Sequence, residues 1–191
     1  MTNSPFPTDP RFVLISDPRV GAVPVRECGE PLVDCRGRLR VDARRADPAG
    51  HFAHRGAGVA ERLERAEKSL PNGWRWLLIE GYRPPALQRQ IFDGYAATLR
   101  MGSPEAATPE ESGGACYTHA PGLSPRAREH RAIMIEALSS AGMVNYATEW
   151  WHWSYGDRHW AWSTAAPTAT YGPAPEPRTD PHASPPEAGE Q

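Results

Sequence analysis

The sequence predicts an α+β domain in which a small antiparallel sheet is flanked by helices. Three observations carry that prediction. Short apolar runs bounded by Gly, Pro and Asp are mixed with stretches of helical periodicity. Their order lacks the regular strand–helix alternation of a doubly wound parallel sheet. The last two strand-like runs, 143–146 and 150–155, are close enough to form a hairpin. A chain of 191 residues suffices for one domain with its own core and is short for two.

In chain order, residues 1–10 contain three prolines and are expected to be loose. Residues 12–15 (FVLI) read as a short apolar strand stopped by Asp17-Pro18, and residues 39–41 as another, with a Pro- and Gly-punctuated loop between them. Val59, Leu63, Ala66 and Leu70 recur at helical spacing, so 57–70 is an amphipathic helix halted by Pro71-Asn72-Gly73. Residues 74–80 (WRWLLIE) then read as a buried strand, broken by Gly81-Tyr82-Arg83-Pro84-Pro85. Leu87, Ile91, Tyr95 and Leu99 form the stripe of a second helix. Residues 101–123 read as loop. Ser124 caps a third helix with Pro125 at its first position, and Gly142 closes it. The hairpin follows. The domain proper is expected to span 11–164, and from Ala165 proline and small polar residues predict a disordered tail, 165–191, in which His182 is inert.

Composition narrows the classes of function. A net charge of −2 and a pI near 6.4 give no electrostatic reason for a nucleic-acid or anionic-membrane partner, and leave a small molecule or peptide open. No apolar run is long enough to cross a bilayer, and residues 1–20 lack a basic region followed by an apolar one. Cys28, Cys35 and Cys116 are odd in number and form no C-x-x-C pair, which indicates neither a disulfide framework nor a zinc ribbon. A reducing, cytoplasmic location is expected.

Two junctions carry chemistry. In TEWWHWSYGDRHWAW, residues 148–162, Glu149 and His152 stand three apart in the densest patch of tryptophan. A carboxylate beside an imidazole suits a general base next to a metal-bound water, or else a strand whose polar residues point outward. Trp150, Trp151 and Trp153 would exclude water from such a site or, more simply, pack. In IEGYRPPALQ, residues 79–88, Arg83 follows a strand on a turn stiffened by two prolines. There it would meet a carboxylate or a developing oxyanion, or pair with a surface acid.

These two stretches, IEGYRPPALQ and GxVNYxTEWWHWSYGDRxW, resemble the D-alanyl-D-alanine dipeptidases, zinc metallopeptidases of the vancomycin-resistance type. FVLISDPRV, VPVRECGEPLVD and VAERLERA are similar to the same family, so the resemblance covers residues 10–162. It implies a small antiparallel sheet flanked by helices, shared with D-alanyl-D-alanine carboxypeptidases and the hedgehog amino-terminal domain. It also implies a zinc cofactor, the small peptide D-alanyl-D-alanine as substrate in cell-wall peptide metabolism, Glu149 as general base, His152 as the last zinc ligand and Arg83 as the stabiliser of the transition state.

The family carries its first two zinc ligands on an S-x-H-x-x-G-x-A-x-D segment after the second helix. In this chain Leu99-Arg100 runs directly into Met101-Gly102, so that segment and a central strand are missing as if by internal deletion. Two replacements are conceivable. His54 and Glu61 reproduce the His-to-acid spacing, but at the entry to the first helix. Cys116 and His119 form a C-x-x-H pair that with His152 would make three ligands, but in a stretch similar to the family's ordinary loop. His51, His130 and His159 read as surface or helix residues. Three functions stay open: an active zinc dipeptidase, a pseudoenzyme that binds a small peptide carboxylate through Arg83, and a non-functional deletion product.

Overall fold

The computed structural model describes residues 13–100 and 116–174. The expected loose N-terminus, most of the 101–123 loop and the end of the tail lie outside the described residues. The described chain mixes helices with small sheets, an α+β arrangement. In order the elements are α1 (Pro18–Gly21), β1 (Leu32–Asp34), β2 (Arg40–Val41), β3 (His54–Gly56), α2 (Ala57–Glu67), β4 (Leu77–Leu78), α3 (Pro85–Arg100), α4 (Pro125–Ser140), β5 (Val144–Asn145), β6 (Trp153–Ser154) and α5 (Arg158–Thr164).

The sheet departs from expectation. Instead of one antiparallel sheet, the described residues form three two-stranded ladders: β1 with β3 and β5 with β6 antiparallel, and β2 with β4 parallel. The β1–β3 pairing, Val33 opposite Arg55, lies where the sequence reads as loop and helix entry. It joins residues far apart in sequence and has no local signature.

The helices follow their local signals. Ser124 accepts a hydrogen bond from Ala127 N at 3.1 Å and Pro125 occupies the first turn of α4, a cap that contributes about 1 kcal/mol. At its far end Gly142 takes φ 81°, and Met143 N donates to Leu138 O at 3.1 Å. α2 and α4 pack against each other and against the β5–β6 hairpin. There Ala66, Ala137, Leu138, Ala141 and Met143 form a buried cluster, joined by Val59, Leu63, Trp76 and Trp153. A second cluster, Cys35, Leu39 and Ala60, lies on the other side of Leu63 and Trp76 beneath β1, β2 and β4.

Four expectations are corrected. Residues 13–16 form no strand: Asp17 N donates to Leu14 O at 2.9 Å, and Asp17 then caps α1 through Arg19 N at 2.8 Å, with Pro18 at the first helical position. Asp17-Pro18 thus starts a helix rather than stopping a strand. The 74–80 strand is neither long nor buried. Trp76 and Leu78 pack inward, whereas Trp74, Leu77 and Ile79 are exposed, and only Leu77–Leu78 pair. Residues 158–164 form an unexpected helix, α5, capped by Asp157, which accepts from Trp160 N at 2.7 Å. Finally, residues 165–174 stay in the body: Ala169 is fully buried, bridges Val25, and donates its N to Pro24 O at 2.9 Å. Tyr171 donates to Glu30 Oε2 at 2.9 Å, so 165–174 is a strap across residues 24–30.

Candidate functional site

The loop from Tyr146 to His152 is built from its own backbone. Glu149 N donates to Tyr146 O at 2.8 Å, His152 N to Glu149 O at 2.9 Å, and Tyr146 N to His152 O at 2.9 Å. The Asn145 amide at the end of β5 reaches the carbonyls of Glu149 (3.4 Å), Trp150 (3.5 Å) and His152 (3.0 Å). This stitching turns both side chains to the same side. His152 Nδ1 lies 3.1 Å from Glu149 Oε2, with 39% and 41% of the respective side chains exposed. A carboxylate at one ring nitrogen fixes the orientation of an imidazole.

Residues 116–118 run beside this loop. Trp150 N donates to Cys116 O at 2.9 Å and Thr118 N to Ala147 O at 2.9 Å. Arg131 on α4 holds the junction: it donates to the carbonyls of Tyr117 and, at 3.3 Å, Thr118, and its guanidinium lies 5.2 Å from the Trp150 ring centroid. Burial pulls its pKa down, with Cys116 opposing. No feature of the sequence singles out Arg131, because the carbonyls it bonds belong to a distant loop.

The tryptophans divide. Trp153 joins the α2–α4 cluster and donates Nε1 to Trp150 O at 3.2 Å, whereas Trp151 is 52% exposed and stacks edge-on with Trp150 at 5.4 Å. Packing, expected of both, holds for Trp153 alone. His159, read as a surface or helix residue, is on α5 and 6% exposed. Its ring and that of His152 each meet Tyr146 at 5.3 Å. Burial holds its pKa below the ordinary imidazole value, and its Nδ1 has no hydrogen-bond partner among the described residues.

Arg83 sits elsewhere, on the turn after β4. Tyr82 N donates to His54 O at 2.7 Å, which anchors the turn to β3. The guanidinium donates Nε to Glu80 Oε1 at 2.9 Å, Nη2 to Glu80 Oε2, and Nη1 to Gln88 Oε1 at 2.5 Å. Its side chain is 29% exposed, and no hydrogen bond or ion pair among the described residues links it to Glu149 or His152.

The remaining ligand candidates are not brought together. His119 is exposed, and His54 turns its Nδ1 to Gly50 O at 2.7 Å. Among the described residues no group of three or more His, Cys, Asp or Glu side chains is placed to hold a metal ion. A zinc site needs about three protein ligands, so the described residues do not fit zinc.

With the geometry in view, one comparison is informative. The chain is similar to a D-alanyl-D-alanine dipeptidase. That relative, from Synechocystis sp., is 22% identical over 221 residues, covering 74% of this chain and 88% of its own. No protein-family model matches the chain, and no solved structure matches it. Among the described residues no helix is long and apolar enough to cross a membrane.

Proposed function

We propose that this protein is a dipeptidase-like peptide binder, in which Arg83 holds the carboxylate end of a small peptide of the D-alanyl-D-alanine type. The observation that carries the reading is the clasp on Arg83. Glu80 and Gln88 fix three of its five N–H donors, and the rest stay in one orientation at a partly exposed turn. A guanidinium fixed in advance loses less entropy on meeting a carboxylate. Similarity to a dipeptidase over 74% of the chain supports the choice of ligand. The three free cysteines support a cytoplasmic location.

Hydrolysis is the second reading, favoured by the Glu149–His152 contact at 3.1 Å and by the main-chain bond that brings Cys116 to the same loop. It requires zinc ligands beyond the set the described residues provide. The deletion reading has two supports. The alignment spans 221 residues while 74% of a 191-residue chain is much shorter, so it carries long gaps on this chain's side. Moreover, Leu77, Ile79, Leu87, Ile91 and Phe92, which precede the Arg100–Met101 junction in sequence, are uncovered.

Titration calorimetry of the full chain with D-alanyl-D-alanine, with chelator and with added zinc, together with release of free D-alanine, separates the readings. Binding is expected to survive chelator and to fall at least tenfold in Arg83→Ala. Turnover that appears only with stoichiometric zinc and is lost in His152→Ala and Glu149→Gln would make the protein a hydrolase instead. The absence of both binding and turnover would leave the deletion product.

A further inference from the structure

A second arginine lies within reach of the Arg83 clasp, and its surroundings are unusual for a cation. Arg55 is the central residue of β3, opposite Val33, whose side chain packs on the Cys35–Leu39–Ala60 cluster. Its guanidinium donates Nη2 to the main-chain oxygen of Glu80, the residue whose carboxylate grips Arg83. Two guanidinium groups therefore meet on one glutamate, one at its carbonyl and one at its carboxylate. The Glu80 carboxylate accepts from Arg83 with both oxygens, and among the described residues Arg55 forms no ion pair. Its environment is dry enough that burial pulls its pKa down, with Arg83 adding to the effect and Cys35 and Glu80 opposing it.

Arg55 is partly buried, and its guanidinium meets one neutral acceptor while its other N–H groups are not shut away from solvent. It offers five N–H donors, and a carbonyl neutralises none of its charge. Arg55, Arg83 and Glu80 together bring two guanidinium groups to one carboxylate, a net formal charge of about +1 for the three side chains. An arginine that only tied β3 to the turn would do so at this cost without return, since a neutral donor would bridge to the same carbonyl. A bidentate anion, by contrast, would meet the free donors of both forks.

We propose that Arg55 and Arg83 form a two-arginine seat for one carboxylate, with Glu80 as the clasp that sets their spacing. This deepens the peptide-binding reading and rests on it for the identity of the ligand. It assigns the peptide's C-terminal carboxylate to the seat and makes Arg55 a ligand-binding residue rather than a structural one.

The test uses the full chain. Acetate, D-alanyl-D-alanine and the dipeptide's C-terminal amide are titrated while the arginine Nε–H resonances are followed by NMR and affinity is measured by calorimetry. The expected result is that acetate and the dipeptide shift the Nε–H signals of both Arg55 and Arg83, and that the amide binds at least tenfold more weakly. Arg55→Lys, which keeps the charge and loses the fork, should bind the dipeptide about five- to tenfold more weakly at an unchanged melting temperature. If Arg55→Met fails to fold, the wild-type titration still decides. Shifts at Arg83 alone, or dipeptide affinity unchanged in folded Arg55→Lys and Arg55→Met, would overturn the seat and leave peptide binding intact. Shifts at both arginines with acetate but no dipeptide binding would keep the seat and overturn the peptide reading. No shift at either arginine with any probe would overturn both.

Discussion

Glu149 and His152 could be found from sequence because their relation is local: three residues apart in one tight loop, they meet at 3.1 Å with no help from distant elements. Arg83 and its clasp are nearly as local, with Glu80 three residues before and Gln88 five after. Arg55 and Arg131 carry no sequence signature because the carbonyls they bond lie 25 and 13–14 residues away and carry no residue identity. His159 shows the converse, a histidine in a tryptophan-rich stretch whose burial no spacing announced. Its folded pKa is depressed chiefly by burial, with His152 adding and Asp157 opposing. Near neutral pH both folded and unfolded states hold it largely uncharged, so its titration adds little cost there. As pH falls through the ordinary imidazole value of about 6.5, the unfolded chain takes up a proton that the folded one resists, and stability is lost. Melting temperature measured from pH 7.5 to 5 should drop less steeply in His159→Phe than in the wild type, while unchanged slopes would show that His159 does not contribute.

Long helices were legible from their apolar spacing and end signals, whereas the short capped helices α1 and α5 and the strands defined by their partners were not. α4 carries its start and stop signals in the sequence as Ser124, Pro125 and Gly142, while α2, whose Gly56 cap makes no side-chain bond, is marked by its apolar spacing. β1 and β3 lack such signals, since each is three residues long and exists through the other. Two glycines with similar backbones test how much of a turn is conformation and how much is packing. Gly142 has φ 81° with open space where a Cβ would lie, whereas Gly156 has φ 69° and a Cβ there would strike the Tyr171 ring of the strap. Gly142→Ala should cost about 1–2 kcal/mol for the left-handed backbone alone. Gly156→Ala should cost about 1–3 kcal/mol more, because Tyr171 must be displaced. Urea unfolding of the pair would measure both, and equal losses would mean that the strap yields freely.

At the scale of the whole molecule, the C-terminal strap and the exposed apolar side chains matter most. Because Ala169 is buried and its neighbours bond to residues 24–28, a chain ending at Thr164 should melt well below one ending at Ala174, as thermal denaturation would record. Composition alone placed that boundary too early, since small residues and prolines read as loose even where one alanine fills a gap. Trp74, Leu77, Ile79, Leu87, Ile91 and Phe92 are each exposed to water. Exposed apolar side chains bind hydrophobic dyes and promote association. The full chain should therefore raise dye fluorescence, and Ile91→Ser with Phe92→Ser should reduce it; an equal signal from the double variant would locate the dye elsewhere.

Gly81 links these scales. A single methyl group there would run into the main-chain oxygens of Phe52 and His54, so the ribbon that bears Arg83 lies flush on its neighbour with no side chain as a spacer. The turn has no slack of its own. Alanine at 81 would act as a wedge, shifting the aim of a guanidinium two residues away while leaving every charge in the protein as it was.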